Sequence, residues 1–302
     1  MKRLGGFWCT KNGTLRSGWL LALGAVVTAG LMRAAQSIAA LAAGALMMPV
    51  LVYGNSASVQ NALIDIVRWV GCVAMGAGAM VSWHYFTKRP LSQMGLHVQK
   101  AALHRLFLGM LQGTGAALVV FGVLLAAGQV RVEVPAPAFH AVTVERILFY
   151  GLAALAEGIF YQGFCMHAVK AVEKNGIRVR WAVLLAAVLY TVGHIAADVP
   201  VWWHLNNLFL GGVFAAMTLA TGDIWAAVGT HWMWNVVWGP VLGFAADGIR
   251  AQGLWQAQYT EATAWNGGPL GPQSGAAVFG VVLVWLMIWV TKVFLHRENM
   301  DE

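Results

Sequence analysis

Apolar residues along this chain neither alternate nor form a narrow stripe. They run on in blocks near the ~20 residues a helix needs to cross a bilayer. The blocks stand near residues 34–53, 66–86, 106–127, 147–169, 180–197, 205–221, 224–243 and 276–295. Strands of a membrane barrel would instead alternate in polarity over about ten residues. In lipid every backbone N–H and C=O must be satisfied within the protein, so continuous runs predict helices. The fold class expected is all-α: a polytopic membrane protein of about eight transmembrane helices around a polar intramembrane cavity.

One stretch resists this reading. Residues 17–53 are apolar but interrupted by Arg33 and Gln36, too long for one upright helix and short for two. The pattern predicts one span near 34–53 with an interfacial or tilted segment before it, so residues 1–89 carry one or two spans. Asp65 and Arg68 mark the polar start of the next span, and Lys88, Arg89, Lys100 and Arg105 form a basic, amphipathic stretch after it. Gly109 and Gly113 stand at the GxxxG spacing that lets helices approach closely, a weak motif alone.

Composition agrees with the pattern. Hydrophobic residues make up 59% of the 302 and charged residues 10%, against about 25% charged in soluble domains. The formal charge of +7 does not indicate nucleic-acid binding, because Lys and Arg cluster between apolar runs, where they set topology. Lys170, Lys174, Arg178 and Arg180 mark residues 170–180 as cytoplasmic; residues 244–275, with Trp255 and Trp265, fall on the other side. Eight spans with both termini cytoplasmic follow, whereas nine would place the basic N-terminus outside. Lys2, Arg3, Lys11 and Arg16 precede an uncleaved first anchor rather than a signal peptide. Cys9, Cys72 and Cys165 are odd in number and include no CxxC, so they form no disulfide or zinc framework.

Against this background a few polar groups sit where lipid should be. A charged group at mid-bilayer costs about 3 kcal/mol on insertion scales, so each is a site hypothesis. Glu157, in LAALAEGIFYQGF, lies about ten residues, or ~15 Å, into its span with no Lys or Arg one turn away. Desolvation penalises a carboxylate anion, which suits a general base or acid near neutral pH. His194, in LYTVGHIAAD, ends another span. His231 and Asn235, in GTHWMWNVV, share a helix face at i, i+4 and offer donors to an oxyanion. Singly, each reads equally as interhelical hydrogen bonding or a proton relay. One acid and two imidazoles on three spans point to a shared polar cavity.

Other candidates rank lower. His84, His97, His104, His140, His204 and His296 lie at span ends or in loops, and His167 lies near the cytoplasmic boundary. Trp202, Trp203, Trp232, Trp234 and Trp238 read as interface anchors or packing. There is no HExxH, no GxSxG, and Gly222-Asp223 is not the GxGD of aspartyl intramembrane proteases.

In residue type and order these positions resemble the CPBP family of intramembrane proteases, also called the CAAX-processing or Abi family, whose pattern is EExxxR, then FxxxH, then HxxxN. Residues 157–163, Glu-Gly-Ile-Phe-Tyr-Gln-Gly, stand where EExxxRG would; Tyr190 to His194 matches FxxxH with Tyr for Phe; His231 to Asn235 matches HxxxN. Met94-Gly95-Leu96 is similar to the LGL-type patch ahead of that core, and GGPLGPQSG at 267–275 to a Gly-Pro loop common in bacterial members. The resemblance covers roughly residues 90–295, leaving 296–302 as a tail. It departs at Gly158, in place of the second Glu, and at Gln162, in place of the Arg. One anion and one cation are lost together, and replacing a buried ion pair by neutral groups can be nearly free.

The resemblance implies an endopeptidase of a bacterial cytoplasmic membrane, with Glu157 as general base, His194 positioning water, and His231 and Asn235 stabilising the oxyanion. Its partners would be the lipid bilayer and a membrane-associated protein substrate, with no nucleic acid. No cofactor is expected; one Glu and two His could bind zinc, but nothing else in the sequence asks for a metal. Positive-inside topology puts His194 near the outer face, where a membrane anchor or C-terminal sorting signal fits better than a cytosolic prenylated tail. A non-catalytic scaffold or immunity-type protein is the alternative that Gly158 and Gln162 support. A transporter would show inverted repeats, and none is visible.

Overall fold

The computed structural model describes residues 8, 15–53, 56–133, 141–170, 177–246, 249–250 and 253–301. Lys2, Arg3, Cys9, Lys11, His140 and Lys174 lie outside them. The described residues form eight helical rods. These are α1 (Ser17–Tyr53), α2 (Ser56–Thr87), α3 (Lys100–Ala126), α4 (Ala141–Glu157, continued to residue 170), α5 (Ile177–Gly193), α6 (Val201–Thr221), α7 (Trp225–Val236, continued to residue 241) and α8 (Ala276–Asp301). Five stretches are long and apolar enough to cross a membrane: Gly18–Met48, Val59–Thr87, Lys100–Ala126, Thr143–Val169 and Ala276–Val293. The protein is therefore an all-α membrane-type bundle.

The first apolar run is one helix and not a span with a separate leading segment. The proline of this helix, Pro49, falls near its C-terminal end, so the stretch that holds Arg33 and Gln36 loses no backbone donor. A helix also satisfies its backbone through Arg33 and Gln36 more cheaply than a break in lipid would. The long loop, in turn, is not wholly irregular. Two small antiparallel ribbons pair β1 (Val130–Glu133) with β4 (Gln256–Tyr259) and β2 (Ala245–Ala246) with β3 (Ile249–Arg250).

Small residues set the closest packing. α3 lies against α7, and a Cβ added at Gly109 or Gly113 would stand 2.1 Å from the carbonyl oxygens of Ala226 or Thr230. Thr230 Oγ1 also donates to Gly109 O at 3.0 Å. The GxxxG pair therefore seats the helix that carries His231.

Charge fixes two other contacts. Arg146 of α4 grips Asp65 of α2 with both nitrogens, at 2.9 and 2.7 Å. Trp69 Nε1 donates to Glu145 Oε1 at 2.6 Å. Asp223, fully buried, is paired with Arg105 and accepts from the backbone N–H of Trp225 at 3.2 Å, at the start of α7. That acid is thus a structural group. Breaking one half of a buried pair leaves the other uncompensated, so Asp65→Asn is expected to destabilise the α2–α4 contact by roughly 3 kcal/mol. Thermal unfolding in detergent reads this as a lower Tm. An unchanged Tm would mean that the pair is only a surface contact.

Candidate functional site

Glu157 is the last residue of the regular part of α4. From Gly158 to Cys165 the helix widens to π geometry, and the Met166 N–H bonds to Tyr161 O. Widened turns inside α-helices often mark functional sites. His167 Nδ1 stands 3.0 Å from both Gln162 O and Gly163 O, serving carbonyls of the widened turn. α7 widens likewise at Val237–Val241, where Pro240 offers no N–H.

Glu157, His194 and His231 converge from three elements. Glu157 Oε2 lies 3.7 Å from His194 Nε2 and 3.9 Å from His231 Nδ1. His194 sits one residue beyond α5, so it belongs to the turn and not the span. Its Nδ1 donates to Tyr190 O at 2.8 Å, which turns Nε2 toward Glu157. The Tyr190 ring stacks on the same imidazole at 4.3 Å, and Trp203 Nε1 donates to His194 O at 2.8 Å.

His231 is held from the opposite side. Asn235 Nδ2 donates to His231 Nε2 at 3.1 Å, and the Tyr190 hydroxyl lies 3.4 Å from the same nitrogen. That fixes the imidazole proton on Nδ1, aimed at Glu157. Phe214 stacks on the ring at 5.0 Å. Asn235 does not project beside His231 toward the cavity. It is 1% exposed, and its Oδ1 accepts from Gln273 Nε2 at 2.7 Å. Gln273 comes from the Gly-Pro loop, pinned where Asn206 Nδ2 donates to Gln273 O and Gly275 O at 2.8 and 2.9 Å. Residues 271–275 are therefore buried in the core around the site, which their loop-like composition did not announce.

Gly158 and Gln162 face one another. A Cβ at Gly158 would stand 2.6 Å from Val228 Cγ2 and 4.0 Å from Gln162 Oε1. α7 thus occupies the space that a side chain at 158 would need. Gln162 is 2% exposed.

A cavity of about 520 Å³ opens onto the cluster between α1, α2 and α4. Glu157, Phe160, Tyr161 and His194 line it on one side; His231 and Asn235 are not among the lining residues. Glu157 keeps 17% of its side-chain surface, against 5% for His231, so of the two it is the acid that borders the cavity. Among the described residues, no group of three or more His, Cys, Asp or Glu is placed to hold a metal ion.

Gln273→Leu is expected to leave the Asn235 carbonyl buried without its donor, a loss of about 1–3 kcal/mol. A Tm below that of the wild-type protein in the same detergent checks it; an equal Tm would show that Asn235 is satisfied in another way.

Fold and site together define an all-α membrane protein with a Glu–His cluster beneath an intramembrane cavity. Residues 139–237 match the family model described as Rce1-like, the type II CAAX prenyl endopeptidases. This agrees with the CPBP resemblance and takes in Glu157, Tyr190, His194, His231 and Asn235. No curated protein and no solved structure matches the chain. The matched family is one of membrane proteases.

Proposed function

We propose that this protein is an intramembrane endopeptidase that hydrolyses a peptide bond in a membrane-associated or C-terminal-signal-bearing protein. The observation that carries this is the placement of one carboxylate oxygen 3.7 and 3.9 Å from two imidazoles whose other nitrogens are held by Tyr190 O and Asn235 Nδ2. A water between Glu157 and His194 Nε2 would be oriented by both. Glu157 takes a proton from it, the oxygen attacks the scissile carbonyl, and the carbonyl oxygen becomes an oxyanion. The His231 Nδ1–H is the nearby donor for that charge. Glu157 then returns the proton to the leaving amine, and no covalent enzyme intermediate forms.

In this mechanism Asn235 acts through His231 rather than on the substrate. Distances of 3.7 and 3.9 Å exceed hydrogen-bond length. Catalytic contacts are often long without substrate and tighten in the complex. Gly158 and Gln162 stand where the family pattern has Glu and Arg; if those two pair, the neutral swap loses one anion and one cation together, which supports retained activity.

Profiling the termini of membrane and released proteins in the host tests the proposal, with wild type compared against Glu157→Gln and His231→Ala. The expected result is one set of proteins left uncut in both variants, which also names the substrates. If both variants insert and every terminus is unchanged, the protein is a non-catalytic scaffold of this fold.

A further inference from the structure

The cavity above Glu157 has a second wall that the hydrolytic chemistry leaves unexplained. Arg33 and Gln36 of α1, and Arg68 of α2, line it together with Glu157 and His194. Arg33 lies near the middle of α1, sixteen residues from Ser17 and twenty from Tyr53, so about 24 Å or more from either end. Long basic side chains snorkel to headgroups from near helix ends, and Arg33 is not near one. Glu157 likewise lies near the middle of the Thr143–Val169 span. Two opposite charges thus border one cavity from mid-span positions.

Arg33 meets no carboxylate among the described residues, and Arg68 meets one that it shares. The hydrogen bond of Arg33 among the described residues goes to Gln36 Oε1 at 3.4 Å, a neutral and long contact. Arg68 reaches Asp65 Oδ1 at 3.3 Å. Both oxygens of that carboxylate also accept from Arg146, at 2.9 and 2.7 Å, and Arg146 reaches Glu145 Oε2 at 3.3 Å, so that cluster balances two cations with two anions and Arg33 is the arginine of this wall without a carboxylate among the described residues. Gln36 packs where α1 crosses Gly71: a Cβ there would stand 2.3 Å from Gln36 Nε2. Gly71 and Cys72 line the cavity beside that crossing. A guanidinium that stays charged and offers a planar fork of donors is suited to a carboxylate. A cavity of about 520 Å³ takes a short peptide segment, not a folded chain.

We propose that Arg33, assisted by Arg68, binds a carboxylate of the peptide whose bond is presented to Glu157, so that the α1–α2 pair selects the substrate. This rests on the hydrolytic function proposed above. The carboxylate is either the free C-terminus of the segment or an acidic side chain, and both offer the same two oxygens.

Binding is measured separately from cutting. The full chain carrying Glu157→Gln is held in phosphatidylcholine nanodiscs, with and without Arg33→Gln or Arg33→Lys. Each is offered ten-residue peptides lacking Asp and Glu as free acids, the same peptides as C-terminal amides, and amides carrying one Asp or Glu. Retained peptides are counted by mass spectrometry. Free acids are expected to be retained about tenfold or more over amides. Arg33→Gln should remove the preference, and Arg33→Lys should keep part of it, which separates charge recognition from misfolding. Retention of the Asp or Glu amides instead assigns the carboxylate to a side chain. Equal retention of all three sets, or a preference that survives Arg33→Gln, overturns the proposal. If acid-selective retention depends on Arg33 but the wild-type chain cuts none of the peptides retained, the anion site stands and the hydrolytic function fails.

Discussion

On the proposed mechanism, Glu157→Gln is expected to lower peptide-bond cleavage by about 10²–10⁴-fold while leaving the fold intact, the range for loss of a general base. The amide keeps the size and planarity of the carboxylate but cannot take a proton from water. Glu157 Oε2 stands 3.7 and 3.9 Å from the two imidazoles, separations that an amide of the same size keeps. Asn235, Gln273 and the Tyr190 carbonyl continue to hold those rings. Glu157→Gln therefore separates chemistry from architecture better than a histidine variant, since truncating His231 also strips Asn235 of a partner. The check is the cleavage rate in detergent or liposomes beside the thermal unfolding of the same preparation. A large loss of Tm together with the rate would assign Glu157 a structural role.

Restoring the family's acid at position 158 is expected to be the most damaging single change. A Cβ there already stands 2.6 Å from Val228 Cγ2, and a full Glu would add an anion with Gln162 as its neighbour. Overpacking a tight interior costs about 1–3 kcal/mol. An uncompensated buried charge adds roughly 3–5 kcal/mol. Gly158→Glu should thus fail to accumulate as folded protein. Adding Gln162→Arg supplies the missing cation, and adding Val228→Ala supplies room, so the triple variant is expected to recover much of the loss. Expression and size-exclusion profiles of the three proteins test this. If Gly158→Glu alone folds like wild type, α7 is not held against position 158, and the explanation of the divergent motif fails.

Much of this was legible in the sequence, for identifiable reasons. Continuous apolar runs reveal membrane helices because lipid offers the backbone no alternative partner. Glu157, His194 and His231 stood out because an ionisable group inside such a run is costly. What could not be read was direction. The i, i+4 spacing of His231 and Asn235 placed both on one face but did not say that Asn235 turns to Gln273. That contact joins residues far apart in sequence, and no periodicity encodes it. The widening of α4 after Glu157 leaves no mark in GIFYQGFC beyond its glycines. Arg33 and Gln36 were visible as interruptions and misled the division of residues 17–53, because polar residues that face a cavity look the same in sequence as those that end a span.

The most direct test uses purified protein in proteoliposomes and a membrane segment found uncut in the Glu157→Gln host. Wild type and Glu157→Gln are compared at matched amounts of folded protein, with products identified by mass spectrometry. The account predicts one new peptide-bond cut with wild type and at least a hundredfold slower appearance of the same products with Glu157→Gln. Equal rates from the two proteins, or no cut by either in a membrane where the segment is embedded, would contradict it.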